Sequence, residues 1–142
     1  MTSQFKILYL LSSVVLAASI LLSPLSTMLE LAPLDIVPAD GYWIILAMIV
    51  ISAFSVMDSI LSSSFTTIWE RLFWIAIPLC GIAWVLFVQT TLYLIASLYF
   101  IHAGRSALHL WIGTKDWWLW PAWIRDCAVA SILFLWLSEV SM

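Results

Sequence analysis

The fold is decided by residues 72–104, "LFWIAIPLCGIAWVLFVQTTLYLIASLYFIHAG", which contain no Asp, Glu, Lys or Arg. As one straight α-helix these 33 residues would extend about 50 Å, whereas the hydrocarbon core of a bilayer is about 30 Å thick. Two antiparallel spans of about 20 residues and a short turn need about 43 residues. Residues 68–110 supply that length, so we predict spans at 68–88 and 92–110 with a turn near 89–91. A single kinked helix that projects from the membrane is the alternative.

The composition is that of an integral membrane protein. The chain has 142 residues, of which 65% are apolar and 9% are charged, and its mean hydropathy is +1.13. Soluble domains carry about a quarter charged residues. At about 20 residues per span there is room for five or six spans and for no separate soluble domain. With only five Lys and Arg residues, nucleic acid is not an expected partner.

Three other apolar runs complete the predicted architecture. The further spans are predicted at residues 7–23, 42–62 and 121–140. Pro24 is expected to end the first of them, and residues 24–41 form a loop with acidic but no basic residues. Pro121 suits the first turn of the last span. We therefore predict that residues 1–142 form a single all-α, polytopic transmembrane helical bundle of about five spans.

The charges predict an orientation for this bundle. With five spans, all basic residues fall on one side or at its boundary: Lys6, Arg71, Arg105, Lys115 and Arg125. The opposite side carries acidic residues: Glu30, Asp35, Asp40 and Glu139. Because Lys and Arg concentrate on the cytoplasmic side of membrane proteins, we predict a cytoplasmic N-terminus. The expected location is the bacterial cytoplasmic (inner) membrane.

A polar cluster is predicted at the cytoplasmic boundary. His102, Arg105 and His109 follow each other at spacings of three and four, which places them on one helix face. The residues expected to converge there are Asp58, Glu70, Arg71, His102, Arg105, His109, Arg125 and Asp126. Arg105 is expected to pair with Asp58 or Glu70, because an unpaired charge in a membrane is costly. The cluster is interpreted as salt bridges that fix helix packing, or as a mouth that binds an anionic lipid headgroup, a quinone or an ion.

Cofactor chemistry has weak support in the sequence. His102 and His109 are candidate haem or quinone contacts, but two histidines on one helix cannot bind one haem from opposite sides, so a haem would be shared with a partner subunit. No metal site is predicted, because no carboxylate lies between these histidines. Cys80 and Cys127 lie in apolar runs without a CxxC motif and are expected to be buried as small hydrophobic residues.

The expected function is non-enzymatic. The sequence contains no GxSxG, HExxH, P-loop or dinucleotide-binding motif. We expect a non-catalytic subunit or accessory factor of a larger membrane assembly, with membrane lipid and other membrane subunits, or a second copy, as partners. The alternatives are a haem- or quinone-associated anchor subunit of a redox complex and a homo-oligomeric, holin-like pore. Small residues in "SSVVLAAS", residues 12–19, would let helices pack closely.

Overall fold

Helices make up nearly all of the described chain. The computed structural model describes residues 3–28, 42–62, 66–88 and 93–140, and no strand occurs among them. The helices are α1 (Ser3–Met28), α2 (Tyr42–Leu61), α3 (Ile68–Val88), α4 (Tyr93–Ile112) and α5 (Leu119–Val140). The predicted turn at 89–91 and most of the predicted 24–41 loop lie outside the described residues.

Three of these helices are long and apolar enough to cross a membrane. Among the described residues the qualifying segments are Ser3–Ile20 of α1, Ile68–Phe87 of α3 and Leu119–Ser138 of α5. A shorter apolar stretch in α2 covers Leu46–Leu61. The chain is therefore an all-helical protein with three helices that fit membrane spans, which is a coarser result than the predicted five.

The first helix differs from its prediction at its C-terminal end. Pro24 was expected to end it, but α1 continues through that residue to Met28. Proline removes only one backbone N–H donor from a helix, and apolar helices of membrane proteins tolerate that loss more readily than soluble ones. The same tolerance applies to Pro78, which lies inside α3 and is fully buried.

Local sequence signals fix two helix ends. At the start of α3 the Thr67 hydroxyl accepts a hydrogen bond from the Glu70 backbone N–H at 3.2 Å, which satisfies a donor that the helix itself leaves free. At the end of α4, Gly113 has a φ of 89°. Its neighbour Thr114 donates a backbone hydrogen bond to the His109 carbonyl at 3.0 Å. This Schellman geometry needs a left-handed residue, which explains the glycine.

Successive helices run in alternating directions. α3 and α4 are separate helices that approach closely at Gly81, where an added Cβ would lie 2.9 Å from the Leu98 side chain. Tyr93, the first residue of α4, stacks edge-on against Phe134 in the second half of α5, with ring centroids 5.2 Å apart. The contacts of α4 with α5 are the most extensive, and α1 also packs against α5. As a result α1, α3 and α5 all begin at the same end of the bundle.

Candidate functional site

Buried charges gather near the end of the bundle where α1, α3 and α5 begin. Tyr9 lies six residues after the first residue of α1, and Arg125 lies six residues after that of α5. Asp58 lies three residues before the end of α2. At 1.5 Å per residue, these side chains start within about 10 Å of the helix ends. Alternating helix direction therefore brings residues from distant parts of the sequence to one level.

Arg125 is the centre of a closed hydrogen-bonded network, here called the Arg125 network: Tyr9, Asp58, Arg125 and Asp126. Its Nε donates to Asp126 Oδ1 at 2.7 Å, and its Nη2 donates to Asp126 Oδ2 at 3.1 Å. Nη2 also donates to Asp58 Oδ2 at 3.1 Å, while Nη1 donates to the Tyr9 hydroxyl at 3.3 Å. The Tyr9 hydroxyl in turn donates to Asp58 Oδ1. Every nitrogen of this guanidinium is therefore bonded.

The Arg125 network holds three helices together. Tyr9 belongs to α1, Asp58 to α2, and Arg125 and Asp126 to α5. All four residues are less than 5% exposed, and the Phe54 ring lies 3.8 Å from the Arg125 guanidinium carbon. Removing one partner from a buried ion pair leaves an uncompensated charge, which typically costs about 3–5 kcal/mol. The network therefore makes the packing of these helices conditional on the presence of both charges.

A second polar contact, here called the α2–α4 seam, joins His102 and Arg105 of α4 to Ser55 of α2 and to Ser62, which directly follows α2. Ser59 lies between these two serines, at spacings that place it on the same helix face. The Ser55 hydroxyl and His102 Nε2 are hydrogen-bonded at 2.9 Å. Arg105 Nη2 donates to the Ser62 hydroxyl at 2.8 Å. Trp74 of α3 closes one side: its ring lies 5.1 Å from the Arg105 guanidinium carbon and 5.9 Å from the His102 ring.

The seam is incompletely satisfied. Arg105 is 3% exposed, yet its Nε and Nη1 have no hydrogen-bond partner among the described residues. The Ser59 hydroxyl, in a residue that is 1% exposed, also has no partner there. Nearly all buried polar groups in proteins are hydrogen-bonded, so each exception calls for an explanation.

In the structure the predicted cluster forms adjoining sets of contacts, with ligand atoms of Asp58, His102 and Asp126 within 4.8 Å of one another. Asp58, Arg125 and Asp126 form the Arg125 network, whereas His102 and Arg105 face the α2 serines. Glu70 and His109 make a separate, weaker contact, with their side-chain atoms 3.8 Å apart. Arg71 is half-buried, and its Nε has no hydrogen-bond partner among the described residues. Among the described residues Arg105 makes no direct ion pair with Asp58 or Glu70, since Asp58 is bound by Arg125 and Arg105 donates to Ser62. Both carboxylates act on Arg105 through space.

Several participants were not identified from the sequence. Tyr9 was taken as part of an apolar span, although it is a phenol in a long apolar run. Ser55 and Ser62 are seven residues apart on α2, a spacing that places them on one face. Trp74 and Phe54 look like ordinary apolar residues. Of these features, only the spacing of the serines could be recognised in the sequence. It defines a polar face of the helix, but it does not show which helix packs against that face.

Three buried groups have the chemistry of metal ligands. Ligand atoms of Asp58, His102 and Asp126 all lie within 4.8 Å of one another. However, both carboxylates already accept hydrogen bonds from Arg125. A divalent cation at this position would lie directly beside a guanidinium, and the two positive charges would repel each other strongly in a buried site. The arrangement fits an ion pair better than a metal.

The two histidines do not fit a haem well. His102 is 2% exposed, its Nε2 is hydrogen-bonded to Ser55, and its ring packs edge-on against Trp74. His109 lies beside Glu70 at the end of α4. An axial ligand needs a ring nitrogen that is directed into a cavity large enough for the macrocycle. Neither histidine lines any of the cavities described along this chain.

An apolar groove of 580 Å³ runs between α1 and α5. Its wall on α1 is formed by Leu10, Ser13, Val14, Ala17 and Ala18, and its wall on α5 by Trp120, Pro121, Ile124, Arg125 and Ala128. The Ser13 hydroxyl has no hydrogen-bond partner among the described residues, and this residue is 3% exposed. The groove thus combines small residues with one unsatisfied polar group.

Comparison with known proteins gives no relative for this chain. No family model, no curated protein and no solved structure matches it. The fold defines the class, an all-helical protein with three helices able to span a membrane. The function is therefore inferred from the geometry alone.

Proposed function

We propose that this protein is a non-catalytic accessory subunit of a larger assembly in the membrane, and that a transmembrane helix of another subunit binds in the groove between α1 and α5. The observation that carries the proposal is the unpartnered Ser13 hydroxyl in the wall of this groove. An acyl chain offers no hydrogen-bonding group to such a hydroxyl. A helix can offer one from a polar side chain, and hydroxyl side chains commonly hydrogen-bond across helix pairs in membranes.

The other serines of α1 support this interpretation of Ser13. Ser12 donates to the Tyr9 carbonyl at 3.0 Å, and Ser19 donates to the Val15 carbonyl at 2.8 Å. Both hydroxyls are therefore satisfied within their own helix. The Tyr9 carbonyl, four residues before Ser13, accepts the Ser12 hydroxyl and no bond from the Ser13 hydroxyl. The Ser13 hydroxyl is left for an external partner.

The shape of the groove also favours a helix. Ala17, Ala18 and Ala128 present small side chains in its walls. Small residues allow two helix backbones to approach closely, which is the main source of packing energy where lipid surrounds both helices. A partner helix would therefore find both close contact and a hydrogen bond.

A non-catalytic role is supported by the way the buried acids are used. Asp58 and Asp126, the buried carboxylates among the described residues, bind Arg125 directly. Neither lines the groove. Their chemistry serves helix packing and is not presented to a ligand.

The proposal is tested with a groove-filling variant. Ala18→Leu adds bulk to the groove, and Ala76→Leu makes the same change at an exposed position of α3. Overpacking costs about 1–3 kcal/mol, so we expect the amount of complex to fall about tenfold in Ala18→Leu and to stay unchanged in Ala76→Leu. Blue native electrophoresis of gently solubilised native membranes measures how much of the protein migrates in a complex and how much migrates as the free 16.1 kDa chain.

Three results would contradict this function. The wild-type chain would migrate alone, both variants would behave alike, or two differently tagged copies would account for the whole complex. The last result would favour the homo-oligomeric pore. A photo-crosslinker at Val14, which lines the groove, should instead capture a second kind of membrane protein.

The same proposal includes five spans with a cytoplasmic N-terminus in a bacterial inner membrane. It is supported by the positions of the basic residues, because Lys6, Arg71 and Arg125 lie near the starts of α1, α3 and α5, while Lys115 follows α4. In intact cells, a cysteine placed at position 114 should resist a membrane-impermeant thiol reagent, and one placed at position 35 should react. The reverse pattern would refute this topology.

A further inference from the structure

We propose that Arg105 and Ser59 form a binding site for a phosphate group, supplied either by a phospholipid headgroup or by free inorganic phosphate. The proposal does not depend on the accessory-subunit function, since it concerns a different face of different helices. Its starting point is a buried guanidinium of which, among the described residues, only one of the three nitrogens is hydrogen-bonded. Guanidinium groups bind phosphate through short, charge-assisted hydrogen bonds.

The guanidinium lies at the end of the bundle. Arg105 is seven residues before Ile112, the last residue of α4. Its side chain nevertheless reaches Ser62, which directly follows Leu61, the last residue of α2. Long basic side chains in membranes extend in this way toward the headgroup level. The free donors are therefore near the level where phosphates of a bilayer are found.

The carboxylates that act electrostatically on Arg105 make no hydrogen bond to it among the described residues. Asp58 and Asp126 bind Arg125, and Glu70 lies beside His109. Trp74 covers a face of the Arg105 guanidinium with its ring and supplies no acceptor atom there. A buried cation with unused donors is costly unless an external acceptor meets it, and a phosphate supplies several oxygens at once.

Ser59 provides a second donor from the facing helix. It lies four residues after Ser55, which contacts His102, and three residues before Ser62, which contacts Arg105. Residues at these spacings share a helix face, so Ser59 belongs to the stripe of α2 that faces α4. Its hydroxyl has no partner among the described residues. A phosphate beside Arg105 would give that hydroxyl an acceptor.

The test compares ligands that differ only in the phosphate. The purified full chain is delipidated in detergent, and native mass spectrometry measures its binding of phosphatidylglycerol and of diacylglycerol with the same acyl chains. We expect one phosphatidylglycerol to bind and diacylglycerol not to compete. Inorganic phosphate is then added at millimolar concentration, and its effect on lipid binding and on the thermal unfolding temperature is measured.

Matched serine variants make the result specific. Ser59→Ala should weaken lipid binding about tenfold, without lowering the unfolding temperature, because its hydroxyl has no hydrogen-bond partner among the described residues. Ser97→Ala removes a part-buried hydroxyl of α4 that already donates to the Tyr93 carbonyl at 2.9 Å, and it should bind lipid like the wild type. Arg105→Gln should weaken binding about a hundredfold, and Ser59→Ala keeps the test valid if Arg105→Gln does not fold.

Each outcome decides the proposal. Phosphatidylglycerol binding that depends on Ser59 and resists inorganic phosphate supports a lipid headgroup, and displacement or stabilisation by inorganic phosphate supports a free anion. The proposal is overturned if neither phosphatidylglycerol nor inorganic phosphate binds, if diacylglycerol binds as well as phosphatidylglycerol, or if Ser59→Ala binds lipid as well as Ser97→Ala.

Discussion

Two buried arginines of this protein have nearly equal exposure, 4% for Arg125 and 3% for Arg105, and very different surroundings. Arg125 has two carboxylates, a phenol and a bond on every nitrogen. Arg105 has one serine hydroxyl and an aromatic ring. Burial alone therefore does not separate a structural charge from one that is available to a ligand; the hydrogen-bond partners do.

The two arginines also connect the helices in different ways. The Arg125 network joins α2 to α5 through an ion pair, and it joins α1 to both through the neutral Tyr9 phenol. The α2–α4 seam connects its helices through neutral hydroxyls, which leaves the positive charge of Arg105 without a directly bonded carboxylate. We infer that the first arrangement stabilises the bundle and the second keeps a cation ready for an external anion.

The largest expected effect is on stability. Arg125→Met leaves Asp58 and Asp126 buried without their cation and should lower the free energy of unfolding by about 3–5 kcal/mol. Arg105→Met loses one hydrogen bond and should cost about 1–2 kcal/mol, because Ser62 keeps its bond to the Asp58 carbonyl at 2.7 Å. Denaturant unfolding in detergent, followed by tryptophan fluorescence, measures both. Equal losses in the two variants would mean that the distinction between the arginines is wrong.

A smaller effect is expected in the coupling of each arginine to Asp58. In double-mutant cycles with Asp58→Asn, Arg125→Met should show a coupling energy of about 1–3 kcal/mol, because the two side chains bond directly at 3.1 Å. Arg105→Met should show a clearly smaller coupling to Asp58→Asn than Arg125→Met does, because Asp58 acts on Arg105 through space and through Ser62 and makes no direct bond to it among the described residues. Strong coupling of Arg105 to Asp58 would restore the pairing predicted from the sequence.

The all-helical architecture was accessible from the sequence because it follows from local properties. The uncharged run at 72–104 is too long for one span, and the structure contains α3 and α4 within 68–112. Thr67 with Glu70 and Gly113 mark helix ends through hydrogen bonds made within a few residues. The end of α1 was misplaced because the effect of Pro24 depends on what surrounds the helix, which local sequence does not reveal.

The sequence by itself determined the apolar helices, the small number of charges, and the spacing that places His102 and Arg105 on one helix face. What only the tertiary structure decided is which charge meets which partner. Asp58 is 67 residues from Arg125 and 49 from Tyr9, yet it bonds to both, while Arg105 donates a hydrogen bond to Ser62. Hydrogen bonds act over about 3 Å and depend on direction, so their partners are set by the rotation and depth of each packed helix, which helical periodicity alone leaves open.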